Sequence, residues 1–68
     1  MEILAKNMKK CRIENKLTQQ EIADKLNIHQ ATYAGYESGK HKPEPETIVK
    51  IADIFKVSTD YLLGRYNK

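Results

Sequence analysis

Apolar side chains recur along this chain at three- and four-residue spacing, with no stretch of strict alternation. The pattern predicts helices and no strand. Leu4, Met8, Cys11 and Arg12 share one face of a helix over about residues 2–15. Thr18 reads as an N-cap, and Glu21 three positions on completes a capping box. The helix it opens turns Ile22, Ala23 and Leu26 inward and stops near Asn27, a residue that tolerates the left-handed conformation. A third helix is expected from about Gln30 to Glu37, ending before Gly39. Two prolines and two lysines in Lys40–Pro45 forbid a helix interior there. Pro45 then suits the first position of a fourth helix, which carries the cleanest stripe in the chain: Ile48, Ile51, Ala52 and Phe55. Ser58 caps a last short helix with Leu62 and Leu63 available to the core, and Gly64 ends it. The reading is all-α: a compact bundle of five helices over residues 1–64, with a short tail at 65–68.

Composition narrows what such a bundle does. Sixty-eight residues, 40% hydrophobic and 31% charged, make one small globular domain without room for a deep substrate pocket. One cysteine, Cys11, forms no internal disulfide, and Cys11, His29 and His41 lack the paired spacing of a zinc site. No cofactor or metal is expected. The first residues lack a signal-peptide core, and no apolar run approaches the roughly 20 residues of a membrane span. The reducing cytoplasm is the natural expectation, with no membrane partner. An enzyme is not expected: no carboxylate pair, no nucleophile beside a base and no phosphate-cradling glycine loop appears. The net charge is +3, and residues 1–16 account for all of it: Lys6, Lys9, Lys10, Arg12 and Lys16 against Glu2 and Glu14. Lysines 9 and 10 are candidates for contact with an anionic partner, although a solvated helix face is the plainer reading.

Two helices separated only by Asn27-Ile28-His29 have the spacing of a helix-turn-helix. Ala23 lies where the two helices cross, and Ile28 plugs the turn. Here the chain resembles the lambda-repressor-like, Xre/Cro-type helix-turn-helix proteins. The resemblance is carried by L-T-Q-Q-E-I-A-D-K-L-N-I-H-Q-A-T-Y-A-G-Y-E-S-G-K-H-K-P (17–43) and E-T-I-V-K-I-A-D-I-F-K-V-S-T-D-Y-L-L-G (46–64). It implies a sequence-specific regulator of transcription, most naturally a repressor, that binds a two-fold double-stranded DNA operator as a homodimer. Its third helix would lie in the major groove. A protein-interaction module of antitoxin or antirepressor type on the same fold is the alternative. A small-molecule substrate is not expected.

Helical geometry places Gln30, Ala31, Ala34, Gly35 and Ser38 on one face of helix three, and Tyr33, Tyr36 and Glu37 on the other. The first face, small and polar, is expected to be the outer one. Gln30 is the leading base reader, since a carboxamide pairs with adenine N7 and N6. His29, Thr32, Ala31, Ala34 and Gly35 complete the base-contacting set, the small residues by close approach. The resemblance assigns phosphate contacts to Thr18, Gln19, Ser38, Lys40, His41 and Lys42, with Gln19 also bracing Gln30. Arg12 on the apolar stripe of helix one and Glu37 on the inner face of helix three would each be a costly lone charge. The resemblance pairs them as a structural ion pair. Tyr61, Leu62 and Tyr66 are candidate dimer contacts. Three positions depart from the family pattern. Asn15 or Lys16 must close helix one where glycine is usual, Asn27 stands for the turn glycine, and an aliphatic is replaced by Tyr33, whose hydroxyl must find a partner or reach the surface.

Overall fold

The structure, a computed structural model, describes residues 2–65. Five helices follow one another: α1 (Glu2–Glu14), α2 (Gln19–Leu26), α3 (Gln30–Ser38), α4 (Pro45–Phe55) and α5 (Thr59–Leu62). No strand occurs among the described residues. The periodicity therefore identifies every helix, with ends displaced by about a residue as fraying allows.

Local chemistry sets the ends. Thr18 Oγ1 accepts the Glu21 N–H at 3.0 Å, and Glu21 Oε1 accepts the Thr18 N–H at 2.8 Å, closing the expected capping box. Ser58 caps α5 by accepting from the Tyr61 N–H. At the other ends α1, α2 and α4 close alike. Lys16, Asn27 and Lys56 take left-handed φ of 58°, 60° and 60°. The amides of Leu17, Ile28 and Val57 then reach back to the carbonyls of Arg12, Ala23 and Ala52 at 3.0–3.1 Å. Those three apolar residues pack on the core beneath each closure. Lys16 rather than Asn15 takes the strained cap of α1, while the Asn15 side chain donates to the Cys11 carbonyl. Lysine in that conformation costs roughly 1–2 kcal/mol, offset by the two carbonyls it satisfies and the apolar plug it seats.

The core joins Met8 and Cys11 of α1, Ile22 and Ala23 of α2, Tyr33 of α3, Ile51 and Phe55 of α4 and Leu62 of α5. Leu62 is fully buried, which removes it from the candidate dimer contacts. It is the one side chain of the short α5 that reaches the centre, so it anchors that helix. Tyr61 is half-buried, and Tyr66 lies outside the described residues. Asn7, which the sequence did not single out, caps α5 from α1 by donating to the Tyr61 and Leu62 carbonyls at 3.2 and 3.1 Å. Tyr33 is 0% exposed, its ring edge-on to Tyr36 with centroids 6.2 Å apart. Its hydroxyl neither meets a partner in hydrogen-bond geometry nor reaches the surface, contrary to the expectation that it would do one or the other. Burial and the nearby Glu37 carboxylate push the phenol far up.

Arg12 and Glu37 meet as expected. Arg12 Nε stands 2.7 Å from Glu37 Oε2, and Nη2 is 3.2 Å from Oε1, a bidentate fork. Arg12 Nη1 also donates to the Leu17 carbonyl at 2.9 Å, tying the α1–α2 turn to the pair. The Glu37 side chain is only 3% exposed. Burial alone would raise its carboxyl, but the Arg12 hydrogen bonds, the adjacent Tyr33 phenol and Gln19 outweigh it and hold the group below the usual carboxylate range. The hydrogen bond to Glu37 is the largest influence raising the Arg12 guanidinium further above its already high usual value.

Arg12→Met strands a buried carboxylate and should lower stability by roughly 2–4 kcal/mol in a denaturant melt. A midpoint within error of the parent would refute the role of the pair. The depressed Glu37 carboxyl contributes stability that is complete above its unfolded value of about 4.3 and is lost as pH falls through its lower folded value. Melts recorded from pH 6 downward should therefore lose stability at the acid end. Glu37→Gln should be weaker at pH 6 and show a shallower acid decline. An equally steep decline in that variant would place the acid sensitivity elsewhere.

Candidate nucleic-acid interface

Helix α3 exposes the side that its pattern predicts. Ala31 and Ser38 are exposed, and Gln30, Thr32 and Ala34 are half-exposed, while Tyr33 faces the core. His29 occupies the N-cap with extended backbone and makes no side-chain cap hydrogen bond. Its exposed ring is thus left for an outside partner.

Behind Gln30 runs a relay of side chains. Gln30 Nε2 donates to Gln19 Oε1 at 2.7 Å, and Gln19 Nε2 donates to Glu37 Oε1 at 3.2 Å. Its polarity follows from chemistry. The ion-paired carboxylate only accepts, so Gln19 turns its NH2 toward Glu37 and its oxygen toward Gln30. Gln30 must then offer an N–H inward. What remains to face outward is its oxygen and its second N–H, one acceptor beside one donor.

Thr18 and Gln19 sit at the start of α2. The Thr18 amide and one lone pair of its hydroxyl are consumed by the capping box, which also brings the Glu21 carboxylate to that end. The Thr18 hydroxyl proton and the half-exposed Gln19 remain for an anion.

The exposed side of α3 and the following loop form an open concavity of about 540 Å³, lined by residues from Gln30 to Ser38 and by Lys40 and His41. Most of the expected base-contacting set comes together there. Ser38 donates to the Gly35 carbonyl at 3.1 Å and accepts the Lys40 amide at 3.3 Å, so its hydroxyl already serves the turn. Lys42 is exposed but lies off the concavity, and Lys9 lines a smaller hollow beside it with Gln19 and Ser38. Gly35 departs from the open outer position expected of it. It is buried, because the His41 ring stands over it. A glycine inside a predicted helix, where it costs about 1 kcal/mol against alanine, was the available signal, but the sequence could not say what covered it.

Residues 8–62 match the helix-turn-helix family model. The chain is 48% identical over 90% of its length to YqaE of Bacillus subtilis, an uncharacterised HTH-type transcriptional regulator, covering 53% of that protein. It is 40% identical over 91% of its length to ImmR of the same organism, an HTH-type transcriptional regulator, covering 49% of it. It is also 45% identical over 72% of its length to RstR, a cryptic phage CTXphi transcriptional repressor of Vibrio cholerae, covering 44% of it. The chain spans about half the length of these relatives. A crystal structure of a transcriptional regulator from Listeria innocua superposes with a TM-score of 0.85 at 34% identity, over 96% of this chain and 61% of that one. The capping box, the tight Asn27 turn, the Arg12–Glu37 lock and these matches converge: the chain belongs to the lambda-repressor-like, Xre/Cro-type helix-turn-helix family.

Proposed function

We propose that this chain binds double-stranded DNA as a homodimer on a two-fold operator, with α3 in the major groove, and acts as a transcriptional repressor in a bacterial or phage setting. The carrying observation is the Glu37–Gln19–Gln30 relay, which leaves Gln30 outward-facing at the start of a thin helix face. One acceptor beside one donor matches adenine, whose N7 accepts and whose N6 donates. It mismatches guanine, where N7 and O6 both accept. Ala31 and Ala34 let the helix approach closely, and their methyls suit thymine methyls. His29 and Thr32 flank this reader, while Thr18, Gln19, Lys40 and Lys42 surround it as groups for phosphate; Ser38, whose one proton is given to the Gly35 carbonyl, leaves that set. The names of the relatives support regulation of transcription, and that of RstR supports repression. Tyr61, half-buried on the surface of α5, is the candidate dimer contact that remains among the described residues.

Selection from random duplexes should enrich two-fold sites whose half-sites are centred about 10 base pairs apart or a multiple of that. Enrichment of an isolated half-site would sink the dimer. Gln30→Ala should lose roughly 1–3 kcal/mol of discrimination at one A·T pair of each half-site. Unchanged preference there would remove Gln30 as the reader. Lys40→Ala and Lys42→Ala should instead weaken binding evenly across sequences, each lowering the slope of log affinity against log salt by about 1 per protomer. An undiminished slope would place both lysines away from phosphate.

A further inference from the structure

A side chain at position 35 would have to displace the ring of His41, which already occupies its space. A Cβ built on Gly35 would collide with His41 Cδ2, with Cγ and Nε2 each 3.3 Å away behind it. The two equal distances make Cδ2 the foremost atom, so the imidazole meets α3 edge-on. Its opposite edge, Nδ1 and Cε1, then points away from the helix. The backbone holds this arrangement. The His41 amide donates to the Gly35 carbonyl at 3.1 Å, and Ser38 donates to the same oxygen at 3.1 Å. The conformation of Gly35 is ordinary helix, so the need for glycine lies in the space and not in the backbone angles. Glycine costs a helix interior about 1 kcal/mol against alanine.

The seat lies on the side of α3 that lines the concavity, beyond Ala31 and Ala34, neither of which offers a polar side-chain atom. An exposed imidazole there adds a hydrogen-bonding nitrogen to a stretch of helix otherwise blank to a base edge. We propose that His41 is a base-reading residue of the interface, supplied by the loop onto the recognition helix and seated there by Gly35. This assigns the ring to bases rather than phosphate, and makes Gly35 a positioning residue rather than a contact. The proposal rests on the reading of α3 as the DNA-entering helix.

The test uses the duplex that the parent chain enriches from a random library, with every single base-pair change of it titrated. His41→Ala should lose about 5- to 100-fold of the preference at one base pair, distinct from the pair that Gln30 reads. Gly35→Ala should lose the same preference with His41 still present, because its methyl evicts the ring. The double variant should be no worse than either single one. Thermal melts check that both variants fold. His41 is exposed, and alanine favours helix over glycine. A loss spread evenly over all base pairs with a smaller salt slope would make His41 a phosphate contact and overturn the proposal. So would an unchanged preference in Gly35→Ala, or a further loss when Gly35→Ala is added to His41→Ala, since the methyl would then meet DNA itself. If the parent chain enriches no sequence, the DNA-binding reading fails first and this inference falls with it.

Discussion

One buried carboxylate governs the placement of α3. Glu37 receives the guanidinium of Arg12 from α1 and the amide of Gln19 from α2, while Arg12 also reaches the Leu17 carbonyl in the turn between them. Apolar packing is tolerant of small slides and rotations, whereas a bidentate fork is not. A desolvated charge must meet its partners in one geometry or bear a penalty of several kcal/mol. The pair thus converts a permissive helix contact into a specified one. It also reaches the exposed face, because the same carboxylate dictates which way two glutamine amides point. The recognition face is in this sense an outgrowth of the core.

Most of the scaffold was legible because its signals are local. Thr18 with Glu21, Pro45 before a clean apolar stripe, and Ser58 before Asp60 each act within four residues. Asn27 and Ile28 announce their turn in the same way. What escaped was decided across the fold. Leu62 was offered both to the core and to a partner, because α5 is too short to show a full stripe, and burial assigns it to the core as the anchor of that helix. Asn7 sits 54 and 55 positions from the carbonyls it caps. Lys16 and Lys56 carry a backbone angle that their side chains do not advertise, and the apolar residue after each was the better clue. Tyr33 was rightly placed inward, but whether its hydroxyl would be satisfied depended on the exact reach of Glu37. Gly35 was rightly placed on the helix face and wrongly left uncovered, since its cover comes from the next loop.

Charge illustrates the same division between composition and placement. The net +3 equals the surplus carried by residues 1–16, so the mean charge of the molecule says little about α3. That helix contains no lysine or arginine, and its glutamate is neutralised from behind by Arg12. The exposed side of α3 is therefore almost uncharged. In the proposed complex, attraction to a polyanion would come from the flanks, from Lys40 and Lys42 on one side and Lys9 near the other, and the helix would contribute shape and hydrogen-bonding pattern. Flanking charge would supply affinity that any sequence enjoys, and the uncharged face the difference between sequences.

A thin helix face has a physical cost as well as a use. Alanine at 31 and 34 would let the backbone approach bases closely, but it removes the side chains with which a helix usually reads them. Nine residues of α3 leave Gln30, Thr32 and Ser38 as outward polar groups, and Ser38 is bound to its own turn. The proposed borrowing of a ring from the loop would resolve the conflict without thickening the helix. The imidazole is added where the helix has been pared to its backbone, and the carbonyl of the same glycine holds the loop that brings it. Close approach and sequence reading, which compete for the same space on a single helix, are thereby divided between two segments of the chain.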